Sequence, residues 1–440
     1  YQSIGRDGSY MDEYKISQSG WFKVHYDVDG VNAANDDYID QVLIIADSVR
    51  YFLKNIMMYQ DPPIANNDDP YYHVFIKSNY NYPNYGVTVT GNYLNGELMP
   101  SRSSYIEIDN NYEDYYVHNG LDPVVTMRET FAHEYFHAVQ LSYRTFSIPE
   151  KYFFELSSMW FEDLVVPDGN DWTLDIWTDA LFKNPNYPLE WNQSFTVDSP
   201  DWGYSLGLFG HYLSRVVDGK GAEDESLSTI MREIWEMYGS NYSFDAFDAI
   251  RTVCYNDYNK SMHLIWLDFM TKNLFNSMLE SEFHYFEDQS LISPLIIDLE
   301  YLNQDISKEI VLNNRSANFF GYKVLNKCSI ELEHFNSDFI SNTVILNNSN
   351  NSMFETENIM DLSINSEDNI FFVYSTENTN SSTINLSLSL NFLPIIPSNV
   401  FAFQVSHDQI ELTWSASDAE SQDNNSYNVY RNGDKINNEE

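Results

Sequence analysis

The chain reads Phe131-Ala-His-Glu-Tyr-Phe-His-Ala-Val-Gln140 in the segment on which the interpretation of the rest depends. His133 and His137 are four positions apart, and residues i and i+4 project from the same face of a helix. Two imidazoles placed in this way can bind one metal ion together. Glu134, beside them, is placed to accept a proton from a water molecule, as in the HExxH motif.

The residues around this motif predict a buried helix. Asp122-Pro123 is a typical helix start, with Asp as N-cap and Pro in the first turn, and no Gly or Pro follows through Tyr143. Apolar residues surround the histidines on nearly all sides, which is typical of a helix inside a core. Because buried imidazole and carboxylate groups need polar partners, we favour a metal site over histidines satisfied by other core groups.

A third ligand is expected from the next predicted helix, since zinc enzymes typically use three protein ligands and leave a fourth position to water. This helix begins near Pro149 and ends before Pro167. Glu155 is the expected ligand. Glu162, two turns further along nearly the same face, is expected to hold a histidine ring or to be the ligand itself.

These two blocks resemble a family of secreted bacterial zinc metallopeptidases of the gluzincin type, the group that includes thermolysin. The first block, His133-Glu-Tyr-Phe-His-Ala-Val-Gln140, follows that family's pattern AHEYFHAxQ closely. The second runs from Glu155 to Asp163 against EGxAxWxED, with Leu156 in place of Gly and Ser158 in place of Ala. The resemblance covers approximately residues 18–290.

The resemblance implies an endopeptidase that acts on protein or peptide substrates outside the cell. One catalytic Zn²⁺ would be held by His133, His137 and Glu155, with Glu134 as general base. A downstream Tyr or His would stabilise the oxyanion, and Tyr204 is the candidate, ahead of His211. Other readings stay open: an aminopeptidase or amidase, a cell-surface binding protein with an inactive scaffold, and, for Tyr204, ordinary aromatic packing.

The composition excludes several classes of partner. The chain of 440 residues has 66 Asp and Glu against 23 Lys and Arg, a formal charge of −43, which argues against nucleic acid and anionic membranes. Such acidity suits a secreted protein.

No apolar run approaches the length of a transmembrane helix. The first residue is Tyr, so we expect either that a signal peptide has been removed or that the sequence is a fragment. Two cysteines predict no disulfide framework, and the oligomeric state stays open.

Residues 1–17 are polar and are expected to form a loose arm before a metallopeptidase domain at 18–290. Alternating residues predict strands at 21–26, 71–76, 85–90 and 104–109, and an apolar stripe predicts a helix over 36–59. Tyr105–Ile108 is the expected edge strand of the cleft. A cluster of aspartates (Asp27, Asp29, Asp36, Asp37 and Asp40) could bind Ca²⁺, although a solvated acidic loop fits its spacing better.

From 291 to 393 the helical pattern gives way to short alternating runs separated by Asn- and Ser-rich turns, which predicts a β-sandwich. Ile410-Glu-Leu-Thr-Trp414 and Tyr427-Asn-Val-Tyr430-Arg-Asn-Gly433 resemble the first half of a fibronectin type III domain, so residues 394–440 are expected to be part of one. The predicted fold class is therefore α+β: a zincin-like domain with an N-terminal mixed sheet and a mainly helical second lobe, followed by all-β modules.

Overall fold

The computed structural model describes residues 11, 13–64, 68–78, 85–93, 101–112, 122–169, 180–191, 202–279, 281–312, 315–335, 339–346, 351–355, 359–365, 368–376, 382–392, 398–415, 429–432 and 434–436. Helices and several β-sheets make up a mixed α+β fold, with separate β modules after the helices. This confirms the fold class at that level.

The N-terminal sheet has five strands in the order β1-β2-β3-β5-β4. Its strands are β1 (Glu13–Ile16), β2 (Phe22–Tyr26), β3 (Tyr72–Lys77), β4 (Gly86–Tyr93) and β5 (Arg102–Asp109). The three inner strands β2, β3 and β5 are parallel, whereas β1 and β4 run antiparallel on the two edges. The four strands predicted from alternation are all present, and the sheet is mixed as expected.

Two expectations about this sheet are wrong. Tyr105–Ile108 lies in β5, which is paired on both sides, so among the described residues the edge strands are β1 and β4. Residues 13–16 form strand β1, so the N-terminal arm is not loose throughout. The reason is the same in both cases, since a strand's own alternation does not say which neighbours it will have.

The helices of the chain surround this sheet and continue beyond it. They are α1 (Asp36–Tyr51), α2 (Pro123–Tyr143), α3 (Lys151–Val165), α4 (Trp202–Ser205), α5 (Gly207–Tyr212), α6 (Ile230–Ser240), α7 (Ala246–Tyr258) and α8 (Met262–Lys272). Single π-helical turns, Phe52–Ile56 and Leu213–Val217, extend α1 and α5. The N-cap of α2 is Asp122, whose carboxylate accepts hydrogen bonds from the backbone N–H groups of Val124 and Val125.

Aromatic side chains fix α2 against the sheet. The ring of Phe22 on β2 packs edge-on against Phe131 and Tyr135 of α2, with ring centroids 5.8 and 5.1 Å apart. All three side chains are buried in one core that also includes α1, α3 and the later helices. With this face of α2 held by the sheet, the histidines of the opposite face point towards α3.

The following β-strands form two sheets, as expected for a sandwich. They are β6 (Leu299–Leu302), β7 (Ile306–Leu312), β8 (Ala317–Val324), β9 (Cys328–Phe335), β10 (Ile340–Leu346), β11 (Ser352–Glu355), β12 (Ile359–Ile364), β13 (Asn369–Ser375) and β14 (Ser382–Phe392). The inner sheet has the order β11-β10-β13-β8-β6, and the outer sheet has the order β12-β9-β14-β7. Apolar residues of both sheets meet in a shared core.

Alternation along β13 shows how this sandwich joins the helical lobe. Ile370 and Phe372 face the outer sheet, while Phe371 and Val373 belong to the core of the helices. Asn342 of β10 also donates a hydrogen bond to the Thr271 hydroxyl of α8, at 3.1 Å. The central strand β13 of the inner sheet is therefore buried on both faces.

The last described residues form two small hairpins: β15 (Ser398–Gln404) with β16 (Ile410–Ser415), and β17 (Tyr430–Arg431) with β18 (Asp434–Lys435). Large apolar side chains remain exposed here, including Ile410 at 70 %. The rest of the predicted fibronectin-like segment, 416–428 above all, lies outside the described residues.

Cys254 and Cys328 are both free and buried, in the helical and sandwich cores respectively, which agrees with the expectation of no disulfide. Among the described residues, no helix combines the length and the apolar character that a bilayer crossing requires.

Candidate metal centre

Helix α2 places two imidazoles side by side. His133 and His137 lie one helical turn apart, and their ring centroids are 4.7 Å apart. Both rings border a cleft of about 520 Å³ between α2, α3 and β4. The i and i+4 spacing therefore does bring the two rings to one position beside a cleft.

Helix α3 brings Glu155 to the same position. Its Oε2 atom lies 3.3 Å from Nε2 of His133 and 3.2 Å from Nε2 of His137. Two ligands bound to one tetrahedral zinc at ~2.05 Å lie about 3.3 Å apart. The two distances from Glu155 agree with this separation, and His133, His137 and Glu155 are the one group of side chains among the described residues that could hold a metal ion.

The second ring nitrogen, Nδ1, of each imidazole is within hydrogen-bond distance of a side-chain oxygen. Nδ1 of His133 lies 2.7 Å from Oε2 of Glu162, and Nδ1 of His137 lies 2.8 Å from Oε1 of Gln140. A proton on each Nδ1 satisfies these oxygen acceptors and leaves the Nε2 lone pairs directed towards Glu155. Of the two glutamates considered as third ligand, Glu155 therefore lies among the ligand atoms and Glu162 behind a ligand ring.

Gln140 of α2 also links helices α2 and α3 through hydrogen bonds. Its Nε2 donates to the Phe154 carbonyl at 2.9 Å and contacts the hydroxyls of Ser157 and Ser158 at 3.0 Å. Ser158 in turn lies 3.1 Å from Nδ1 of His137. The small Ser158 side chain therefore adds a hydrogen bond to the His137 ring.

The charges of the site are coupled to one another. Burial disfavours a charged imidazole, but the carboxylates of Glu162 and Glu155 raise the pKa of His133 well above its ordinary value. Burial likewise opposes a charged Glu155, but His137 and His133 hold its pKa well below its usual range. Three acceptor atoms that converge in a buried site are stabilised by protons or by a metal ion, and the donor set of two nitrogens and one oxygen fits Zn²⁺.

Glu134 points to the cleft beside this group and is not one of its three ligand residues. Thr88 of β4 holds it in place, because the Thr88 hydroxyl lies 2.7 Å from Oε2 of Glu134 and 2.6 Å from its carbonyl oxygen. Gly86 permits this approach, since a Cβ atom there would lie 2.6 Å from the Thr130 side chain. Sequence reasoning missed Thr88, because only the sheet order brings β4 to α2.

Tyr204 of α4 lines the same cleft. Its ring centroid is 5.8 Å from that of His133, and Nζ of Lys151 lies 6.0 Å from the centroid of the tyrosine ring. Lys151 also approaches Oε1 of Glu155, at 3.9 Å. The sequence analysis did not single out Lys151, although it begins the helix that carries Glu155.

His211, the second choice for the oxyanion group, lies elsewhere. It is buried on α5, with Nδ1 2.9 Å from Oε1 of Glu225 and Nε2 3.3 Å from Oδ2 of Asp163. These contacts face away from the described lining of the cleft. Its position in the helical segment after Tyr204 therefore did not predict where it lies, because α5 turns this side chain towards Asp163 of α3.

The aspartates considered for Ca²⁺ do not converge in the described structure. Asp36 and Asp40 both pair with Lys15, and Asp27 accepts a hydrogen bond from Asn32. The acidic loop thus forms ordinary ion pairs and caps.

Comparisons with known proteins identify no family. No protein-family model matches the chain, and no curated protein matches it. Solved structures with local similarity include PliG from Salmonella Typhimurium, a periplasmic inhibitor of g-type lysozyme, at 4% identity and a TM-score of 0.18, over 22% of this chain and 100% of that one. PliG from Aeromonas hydrophila, also an inhibitor of g-type lysozyme, matches at 5% identity and the same TM-score, over 21% of this chain and 96% of its own. Similarity at this level carries no argument about the chain.

Proposed function

We propose that the chain is a secreted zinc metallopeptidase with a zincin-like domain of the gluzincin type. The observation that carries this proposal is the convergence of His133, His137 and Glu155 beside a cleft, with Glu134 next to them and outside the ligand set. Ligands on two packed helices and a separate carboxylate are the arrangement that metal-assisted hydrolysis of a peptide bond requires.

A zinc ion bound here would supply a Lewis acid and would lower the pKa of a water ligand towards about 7. The residues of the chain supply the remaining functions. Glu134 accepts a proton from the attacking water and delivers it to the leaving amine. Thr88 holds the Glu134 carboxylate in position for both transfers. Glu162 and Gln140 fix the two imidazole rings.

Strand β4 supports a peptide as the substrate. Among the described residues it is one of the two edge strands of the sheet, and its residues Gly86, Val87, Thr88 and Thr90 border the cleft next to Glu134. A peptide in extended conformation can add to such an edge through backbone hydrogen bonds. Beyond the proposed metal ligands, the described lining of the cleft has two carboxylates, Glu134 and Glu162, and one ammonium group, Lys151. Its apolar lining includes Leu141, Phe146 and Met159. We therefore expect substrates with apolar side chains next to the cleaved bond.

The test is to compare wild type with Glu134→Gln on a protein substrate and on N-terminally blocked peptides. We expect about one zinc per chain in both proteins and a loss of turnover of at least ~10³-fold in the variant, because the proton acceptor is removed while the ligands remain. Glu236→Gln, on the exposed surface of α6, is the matched control and should keep full activity.

Two results would contradict this proposal. Undiminished peptidase activity in Glu134→Gln would exclude Glu134 as the base. An ordered wild-type protein that retains no zinc would leave a scaffold used for binding. Cleavage of free but not blocked peptides would instead indicate an aminopeptidase.

A further inference from the structure

Lys151 is the one Lys or Arg among the described residues that line the cleft. It is the first residue of α3, and its side chain is 28 % exposed. Its Nζ lies 3.9 Å from Oε1 of Glu155, whose other oxygen, Oε2, is the atom that contacts both histidine rings. The ammonium group is therefore separated from the candidate metal position by a single carboxylate group.

The position of Lys151 suits contact with a bound peptide. Its distance of 3.9 Å from Glu155 is that of an ion pair and is too long for a hydrogen bond. The ammonium group has three N–H donors on a flexible stem of four carbons, so it can turn towards another acceptor. One residue of an extended peptide rises ~3.3 Å. Lys151 is thus within reach of the residues on either side of a bond held at the metal position.

Aromatic side chains line the cleft near this ammonium group. The ring centroid of Tyr204 is 6.0 Å from Nζ of Lys151. Phe154 lies one turn along α3 from Lys151, borders the same cleft and is 2 % exposed. Surroundings of low polarity strengthen the attraction between an ammonium group and an anion.

The negative groups of the cleft oppose an acidic substrate. Glu134 and Glu162 both line it, held by Thr88 and by the His133 ring respectively, and the whole chain has a formal charge of −43. Besides a bound metal ion, Lys151 is the one described group of the cleft lining with a positive charge to attract a carboxylate. Acceptance of an acidic peptide therefore depends on Lys151.

We infer that Lys151 is a specificity residue that binds a carboxylate group of the substrate close to the cleaved bond. This inference rests on the proposed peptidase function and names its substrate class. The carboxylate belongs to a Glu or Asp side chain within two residues of the cleaved bond, or to the C-terminus of a short peptide. It accepts a charge-assisted hydrogen bond from the ammonium group. The apolar lining formed by Leu141, Phe146 and Met159 contacts an apolar side chain of the same peptide.

Peptide binding to the Glu134→Gln chain tests this inference without turnover. Mass spectrometry of wild-type digests first locates the cleaved bond. Labelled peptides of that sequence, blocked at both ends, then carry either Glu or Gln at each of the four positions around the bond. A further peptide carries Gln and a free C-terminal carboxylate. Fluorescence anisotropy should show at least ~5-fold tighter binding of a carboxylate peptide than of its neutral partner. The peptide that gains affinity identifies the source of the carboxylate.

Three further variants in the same background assign this preference to Lys151. Lys151→Gln should abolish it, whereas Lys151→Arg keeps the charge and should retain it. Lys220→Gln is the matched control, because it removes the same charge from an exposed side chain outside the described cleft lining. It should bind each peptide as the parent chain does. If Lys151 served only to support Glu155, Lys151→Gln would alter zinc retention against a chelator and keep the peptide preference.

The outcomes separate this inference from the proposed function. Equal binding of the carboxylate and neutral peptides, or a preference that survives in Lys151→Gln, would overturn the inference, while cleavage by wild type would still support a peptidase. No cleavage by wild type and no binding of any peptide would instead overturn the proposed function, and the inference with it.

Discussion

Glu162 lies outside the candidate metal-ligand atoms, yet it orients one of the histidine rings that supply them. Its carboxylate is buried and lies 2.7 Å from Nδ1 of His133, so it fixes both the ring orientation and the tautomer. A carboxylate behind a histidine ligand also makes the ligand nitrogen a better electron donor. Glu162 is therefore expected to contribute to metal affinity without binding the metal.

Replacing Glu162 with Gln tests this role. We expect zinc affinity to fall by about 10–100-fold, because the amide can hold the ring but supplies no charge. Competition with a chelator measures the affinity. Glu236→Gln, an exposed substitution on α6, is the control and should not change it. An unchanged affinity in Glu162→Gln would mean that the carboxylate serves packing alone.

At the level of elements, helix α3 packs between α2, which carries His133 and His137, on one side and α4 and α5 on the other. The glycines Gly203, Gly207 and Gly210 of α4 and α5 make the second contact possible. A Cβ atom at Gly210 would lie 2.5 Å from Cβ of Trp160, and one at Gly203 would lie 2.7 Å from Cβ of Glu155. The position of Glu155 therefore depends on a backbone approach that only glycine allows.

A buried polar network strengthens this contact on the far side of α3. Glu225 accepts hydrogen bonds from Trp160, Ser214 and Arg215 and pairs with His211. Burial disfavours the charged carboxylate, but His211 and the hydrogen bonds lower the pKa of Glu225 to about 2. Burial also disfavours a charged His211, yet Glu225 and Asp163 raise its pKa above the usual value.

The network predicts a defined pH dependence of stability. A depressed carboxylate pKa contributes stability that is complete above the unfolded-state value near 4.5 and is lost as the pH falls towards about 2. We expect Glu225→Gln to be less stable than wild type by about 3 kcal/mol near pH 6, and this difference should shrink steadily below pH ~4.5. Urea unfolding at a series of pH values measures it, with the exposed Glu223→Gln as control. A difference that stays constant with pH would contradict the assignment.

At the scale of the whole molecule, the helical lobe and the sandwich share one core. Phe371 and Val373 of β13 are buried with the helices, and the opposite face of the same strand is buried with the outer sheet. Unfolding of either lobe would remove the apolar contacts that stabilise the other. We therefore expect the two lobes to unfold together.

Val373→Asp tests that coupling. A carboxylate placed in this interface lacks a partner, so we expect a loss of at least ~3 kcal/mol and a lower unfolding temperature for the helical lobe as well as for the sandwich, whose strand β13 carries Val373. The far-ultraviolet circular dichroism of the helices follows this transition. Ser307→Asp, on the exposed face of β7, should leave it unchanged. Helices that melt at the wild-type temperature in Val373→Asp would show that the lobes are independent.

Local signals were sufficient for the elements of the fold. Asp122 and Pro123 start α2 where predicted, and the strands of the N-terminal sheet and of the sandwich follow their alternating residues. The helix predicted over 36–59 ends its regular α part at Tyr51 and continues as a π turn. These features depend on capping and on periodicity, both of which act within a few residues.

The amino-acid order alone thus specified a helix with two histidines on one face, a carboxylate beside them, and a change from helices to strands near residue 291. Only the packing of distant elements decided which glutamate lies among the ligand atoms, which strands form the edges of the N-terminal sheet, and where His211 points. The physical reason is range: helix and strand signals act between near neighbours, whereas these choices depend on contacts such as Thr88 with Glu134 and Gly210 with Trp160, which join residues far apart in the chain.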